Sequence, residues 1–279
     1  MAIAWLNGAW LPPEEASISV FDRGFMFGDG IYEVIAIYNG KPFALDAHLA
    51  RLRRSLGEIR LDLPMDDASL QQLLTEAVSK GGESNALLYM QVTRGVALPR
   101  AHAWPDDTNP TLLITVTPAP ILTRQNVTPY RLVTKEDYRW GRGDIKVISL
   151  IANVLLKNEA IAEGYNDALL IKDGKVTEAT AANLFIVSQG QVITPPKSGL
   201  LLHGITRDHV LALAKDAGMA VAEREIPEAE VFAADEVWVT STSHEVWPVS
   251  HVNGQAIGKG APGPVFDKID GLFQAFKTD

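Results

Sequence analysis

Asn7-Gly8 stands between two short apolar runs, Ala4-Trp5-Leu6 and Ala9-Trp10-Leu11. A two-residue Asn-Gly link favours left-handed backbone at both positions, so it turns the chain back on itself as a hairpin. Asn39-Gly40 repeats the device between Ile31–Tyr38 and Pro42–Leu45, and Asp173-Gly174 does so between Ala168–Lys172 and Lys175–Thr177. Three such points commit both halves of the chain to strands joined by tight turns.

Helical periodicity fills the gaps. The pattern predicts helices over 47–58 and over 67–80, the second stopped by Gly81-Gly82. Strands are expected at 86–94 and 111–117, separated by Gly95–Pro110, a proline-rich loop of the length usually kept for function. Pro118–Asn126 reads as a linker, because its prolines and polar residues interrupt both neighbouring patterns. Beyond it come an apolar helix over 150–162 and a helix starting at Thr206 and stopped by Gly218. A buried strand over 237–240 and an amphipathic helix over 266–276 close the chain. The fold class is therefore α+β in two domains: a smaller N-terminal one over 1–120 and a larger C-terminal one over 121–279, which includes Lys146.

Bulk properties exclude several functions. The 279 residues carry a net charge of −9, which argues against nucleic acid as a partner. There is no cysteine, so neither a disulfide framework nor a thiolate metal site can exist. The six histidines show no pair at helical metal spacing with a carboxylate, so no metal is expected. Nucleotide-phosphate and serine-hydrolase motifs are missing as well. The first residues lack the basic start and apolar core of a signal peptide, and no run approaches the ~18 apolar residues of a membrane span. A cytoplasmic protein without membrane contact is expected.

Lys146, in Asp144-Ile145-Lys146-Val147-Ile148, is followed 32 residues later by Glu178, in Val176-Thr177-Glu178-Ala179. Most of the twelve lysines must be solvated, and Glu178 seen alone reads as an ordinary strand carboxylate. Lys146, however, lies directly before an apolar helix, an unusual place for an ammonium. Other segments add to the pair: Phe27-Gly28-Asp29-Gly30-Ile31-Tyr32-Glu33, Arg51, Gly204-Ile205-Thr206-Arg207 and Thr240-Ser241-Thr242. Taken alone, Arg51 is a solvated-face arginine, Thr206 a helix N-cap, and Ser241 with Thr242 a strand-end turn.

Jointly, and in this order, these segments resemble the fold type IV pyridoxal phosphate enzymes, a group that includes D-amino acid aminotransferases, branched-chain aminotransferases and aminodeoxychorismate lyases. The resemblance implies pyridoxal 5'-phosphate as cofactor. Lys146 would then form the Schiff base with its aldehyde, and Glu178 would keep its pyridine nitrogen protonated. Arg51, Ile205, Thr206, Ser241 and Thr242 match the positions that hold the phosphate, the middle two through N–H groups at a helix start. Arg139 matches an arginine on the ring side.

Substrate choice rests on Thr93–Pro105, where Arg100 and His102 flank one residue. A guanidinium takes a carboxylate bidentately, and an imidazole beside it adds a donor. With Tyr32, the two resemble the carboxylate trap of D-amino acid aminotransferases, in which the loop reaches into the partner subunit's site. A homodimer acting on D-amino acids such as D-alanine or D-glutamate, and on 2-oxo acids, is thereby implied. The alternatives are an L-branched-chain aminotransferase, an aminodeoxychorismate lyase, and a non-catalytic ligand-binding homologue. Three features depart from the D-specific pattern: a loop one residue longer, Trp104 in place of phenylalanine, and Ala179-Thr180-Ala181-Ala182 in place of a serine-rich run. Of that last run only Thr180 offers a hydroxyl to the cofactor.

Overall fold

The Asn-Gly pairs turn the chain where the sequence places them, Asn7 and Gly8 at φ 46° and 102°, Asn39 and Gly40 at 52° and 75°. The computed structural model describes residues 3–107, 109–119 and 127–278; most of the expected linker, 120–126, lies outside them. The described residues form two units. The first holds those up to 119 together with Ile145–Ser149, and the second holds 127–144 and 150–278.

In the first unit the strands are β1 (Ile3–Leu6), β2 (Ala9–Leu11), β3 (Gly30–Tyr38), β4 (Lys41–Pro42), β5 (Ala86–Thr93) and β6 (Thr111–Pro118). They form an antiparallel sheet in the order β2-β1-β6-β5-β3-β4. A five-residue helix that the sequence pattern did not show, α1 (Arg23–Phe27), precedes β3, and α2 (Leu45–Glu58) and α3 (Asp67–Gly81) follow β4. Asp66 caps α3 by accepting from the Ser69 amide, and Gly82 ends it at φ 68°. Alternate residues of β3 and β5, among them Ile31, Ile35, Leu88 and Met90, pack against Leu49, Leu52, Leu70 and Leu74 of the helices.

The second unit contains β7 (Tyr130–Glu136), α4 (Ile151–Ala162), β8 (Asp167–Lys172), β9 (Lys175–Ala179), β10 (Asn183–Ser188) and β11 (Gln191–Thr194). These are followed by α5 (Ile205–Asp216), β12 (Val221–Glu223), α6 (Glu228–Phe232), β13 (Glu236–Ser241), β14 (Glu245–Val252), β15 (Gln255–Ala256) and α7 (Pro264–Phe276). Its sheet runs β12-β11-β10-β13-β14-β7-β8-β9, with β15 on β14, and is parallel only at β11–β12, β14–β7 and β7–β8. The central strands β10 and β13 are buried in all but their last residue, and Leu184, Ile186, Val237 and Val239 belong to their core.

The start of α5 differs from expectation. Helix α5 begins at Ile205 with Gly204 as its N-cap, so Thr206 is not the cap. The cap falls on glycine because a Cβ there would stand 2.0 Å from the Asn183 Oδ1 atom. Among the described residues no helix is long and apolar enough to cross a membrane, and no cluster suits a metal ion.

Candidate functional site

Lys146 lies in the first unit, although its place in the chain suggested the C-terminal part. Ile145–Ser149 runs beside the start of β3. The Tyr32 amide donates to the Lys146 carbonyl at 2.9 Å, the Ile148 amide donates to the Gly30 carbonyl at 3.1 Å, and Ile31 bridges Val147. With a period of two, Ile145 and Val147 enter the core while Lys146 points to the other face. Tyr32 points there too, because its neighbour Ile31 is a core residue. The Lys146 Nζ atom accordingly sits 4.1 Å from the centre of the Tyr32 ring. Tyr89 stacks on Tyr32 at 5.7 Å and donates its hydroxyl to Gln91. Burial pushes the Tyr89 hydroxyl up to about 12, so it stays protonated at neutral pH.

Arg51 is buried, which excludes the solvated-face reading. Its Nε and Nη2 atoms both donate to Glu33, each at 2.7 Å, and the His48 Nδ1 atom lies 2.8 Å from the second Glu33 oxygen. Residues 48 and 51 are three apart on α2 and so share the helix face that meets Glu33 on the sheet. Burial opposes Glu33 ionisation most strongly, yet the Arg51 charge and the bonds from Arg51 and His48 bring its carboxyl down to about 2. Burial also lowers His48, which therefore sits there as a neutral ring.

A prediction about pH follows from that network. Glu33 is less basic in the folded chain than in the unfolded one, so the unfolded chain binds more protons between pH 4.5 and about 2. Its contribution is complete above pH 4.5 and is lost as the pH falls towards 2, to the extent of about 3 kcal/mol. Urea unfolding of the cofactor-free protein at pH 5 and pH 3 measures this. Glu33→Gln should be less stable at pH 5 and lose less on acidification, and an identical pH slope in the variant would refute the assignment.

The loop carrying Arg100 and His102 is held from below by backbone capture. Arg23, only 3% exposed, donates to the carbonyls of Ala101, His102 and Ala103 at 2.7, 3.1 and 3.3 Å. Its Nε atom donates to Asp29, which also accepts from Arg94. Arg94 in turn donates to the carbonyls of Ile59 and Arg60 and stacks on Trp104 at 4.3 Å. Trp104 thus serves as a platform for this arginine. Arg100 and His102 remain exposed, both against Phe27, the guanidinium carbon 4.5 Å and the imidazole 5.5 Å from its ring centre.

In the second unit Glu178 is buried with both oxygens engaged. One accepts from Arg139 Nη1 at 2.6 Å, and the other accepts from the Leu202 amide at 3.1 Å and from Asn183 at 3.2 Å. Burial pushes the Glu178 carboxyl above its usual range, against the pull of Arg139. Arg139 is itself gripped bidentately by Asp137, which also accepts from the Thr177 hydroxyl. Asp137 stays below the usual range despite its burial because of that guanidinium. Thr180 donates its hydroxyl to Asp167 at 2.5 Å, so it is committed to the fold and not to a cofactor contact.

Asn183 also donates to the Leu202 carbonyl at 2.8 Å, tying the approach to α5 to the acid. The N–H groups of Ile205 and Thr206 open α5, where no intrahelical acceptor exists and no side chain caps. That end favours an anion. Ser241 ends β13, and its oxygen accepts from the His244 amide across the turn to β14. Next to it, the buried Thr240 hydroxyl has no hydrogen-bond partner among the described residues. Within this unit the structure thus offers a buried acid, a helix end without a side-chain cap, and hydroxyls at a strand end. These suit the ring nitrogen and the phosphate of pyridoxal 5'-phosphate.

Sequence reasoning assigned no role to Glu33, His48, Arg23, Asp29, Asp137, Asn183 or Leu202. A carboxylate at a core position of an apolar strand was the available signal for Glu33, and the His48–Arg51 spacing was the signal for its partners. Leu202 acts through its backbone and had none.

The first unit presents an amine on a tyrosine face, and the second presents a buried acid and a helix end without a side-chain cap; these are the group types that pyridoxal phosphate chemistry draws from a protein. Residues 30–252 match the family described as amino-transferase class IV, and the chain belongs to that family. Aminotransferases of this fold type use pyridoxal 5'-phosphate. The chain is 40% identical to the D-alanine aminotransferase of Bacillus licheniformis, over 96% of this chain and 94% of the relative. It is 37% identical to the D-alanine aminotransferase of Listeria monocytogenes, over 96% and 93%. Among solved structures it resembles the branched-chain aminotransferase of the thermophilic archaeon Thermoproteus uzoniensis with norvaline. That likeness has a TM-score of 0.88 at 28% identity, covering 99% of this chain and 94% of the other.

Proposed function

We propose that this chain transfers the amino group of D-amino acids, such as D-alanine and D-glutamate, to 2-oxo acids, as a cytoplasmic homodimer. When bound, pyridoxal 5'-phosphate supplies an aldehyde that takes up an amine and a ring that accepts the electrons left at the substrate's alpha carbon. Lys146 would hold the cofactor covalently through its amine and, once released as a neutral amine, would serve as the base that moves the substrate's alpha proton. Glu178, oriented by Arg139, Asn183 and the Leu202 amide, holds a proton at the pyridine nitrogen. Arg51, the Ile205 and Thr206 amides, Ser241 and Thr242 hold the phosphate. Tyr32, Arg100 and His102 orient the substrate carboxylate, the loop of each copy serving the other.

The observation that carries the D-specific reading is the Arg23 clamp, which fixes the backbone on either side of His102 and beside Arg100. A loop held in this way supports the reading of a carboxylate trap over that of an incidental charged loop. The D-alanine aminotransferases among the relatives support it. An L-branched-chain aminotransferase is the second reading, favoured by the likeness to the Thermoproteus uzoniensis enzyme. Adding D-alanine and L-leucine separately to the purified, cofactor-loaded protein distinguishes the two. D-alanine alone should convert the absorbance to that of the amine form of the cofactor. Arg100→Ala should raise KM for D-alanine about tenfold, as expected for a lost charge-assisted bond. Conversion by L-leucine alone would transfer the function to the branched-chain class.

A further inference from the structure

Glu245 opens β14 immediately after the Ser241–His244 turn and has a backbone that its residue type does not favour, with φ at 55°. That conformation is uncommon for a residue other than glycine. The three-residue hairpin loop between Ser241 and Glu245 accounts for that backbone, and the C-terminal helix holds the side chain. The Lys277 Nζ atom, at the end of α7, donates to one Glu245 oxygen at 2.6 Å, and Gln274 Nε2 donates to the other at 2.6 Å. Both charged side chains are almost wholly buried, 5% and 7% exposed. Glu245 is also the cross-strand partner of Ser241. Fixing one therefore fixes the other end of the same turn. Helix α7 braces α5 as well, through the Phe276 ring 5.0 Å from that of His209.

We propose that Glu245 is a positioning residue for the cofactor phosphate, and that through Lys277 and Gln274 the C-terminal helix sets the grip of the Ser241–Thr242 turn. The proposal rests on the reading that this turn holds the phosphate. Glu245 touches no reacting atom; it sets the place and direction of the two hydroxyls. Loosening it weakens a phosphorylated cofactor and spares the same ring without its phosphate.

The test is titration of the cofactor-stripped full chain with pyridoxal 5'-phosphate and, separately, with pyridoxal, followed by tryptophan fluorescence. Lys277→Ala should weaken pyridoxal 5'-phosphate about tenfold, the effect of a lost charged hydrogen bond, with pyridoxal changed less than about twofold. Lys277→Arg should restore most of the preference. If Lys277→Ala does not fold, Gln274→Ala, which keeps the ion pair, should show the same selective loss at about threefold. Equal weakening of both compounds, or of neither, would overturn the proposal, since a merely structural brace does not distinguish them. Ser241→Ala combined with Thr242→Val tests the underlying reading. Should that pair leave pyridoxal 5'-phosphate binding unchanged, the turn does not hold the phosphate and the proposal falls with it. If the pair weakens binding while the α7 variants do not, only the positioning role is refuted.

Discussion

Lys146→Ala is expected to lower amino-group transfer by at least about four orders of magnitude, because general-base catalysis alone contributes roughly 10²–10⁴ and the nucleophile is lost with the base. The fold should survive. Ile145 and Val147 carry the packing of this segment, and its pairing with β3 runs through backbone atoms. A thermal midpoint close to that of the parent would show this. Single-turnover assays with D-alanine measure the loss, and methylamine, a small amine able to stand in for the missing one, should restore part of the rate. A variant that retained a tenth of normal turnover would remove Lys146 from the reaction.

Glu178→Gln should slow removal of the alpha proton about 10²–10³-fold while the cofactor stays bound. Glutamine matches the shape of glutamate and can still accept from Leu202 or Asn183, but it cannot hold a proton at the ring nitrogen as a carboxylate does. Because the carboxyl is buried, no water substitutes for it. Arg139 keeps its bidentate pair with Asp137, so the guanidinium is not left unpaired and the site should not collapse. With alpha-deuterated D-alanine the isotope effect should grow as this step becomes limiting. An unchanged rate would mean that Glu178 is structural.

The hairpins were legible because left-handed backbone is a property of the residue itself: Asn-Gly and Asp-Gly need no distant help to turn. The C-terminal end of α3 was legible for the same reason, in Gly82. Lys146 and Glu178 stood out by order and spacing among their motifs. What surrounds them did not. Glu33 is satisfied by an arginine 18 residues away, and Arg23 by carbonyls 78 to 80 residues away, whose sequence carries no mark of the contact. Helix α1, at five residues, is too short to display a period. Thr206 looked like a cap because threonine commonly is one. The glycine two positions earlier took the role because only glycine clears Asn183.

The strip Ile145–Ser149 gives the first unit a peculiar order of assembly. A growing chain that has emerged as far as residue 119 has the whole of that unit's sheet and helices except the piece bearing Ile145 and Val147. Some 25 residues lie between residue 119 and this strip and must be synthesised before it arrives. Part of the early core therefore waits, uncovered, for a late segment. The lysine is not exposed in a finished scaffold but is delivered in the last piece that completes it, so its presence at the Tyr32 ring reports that the first unit has closed.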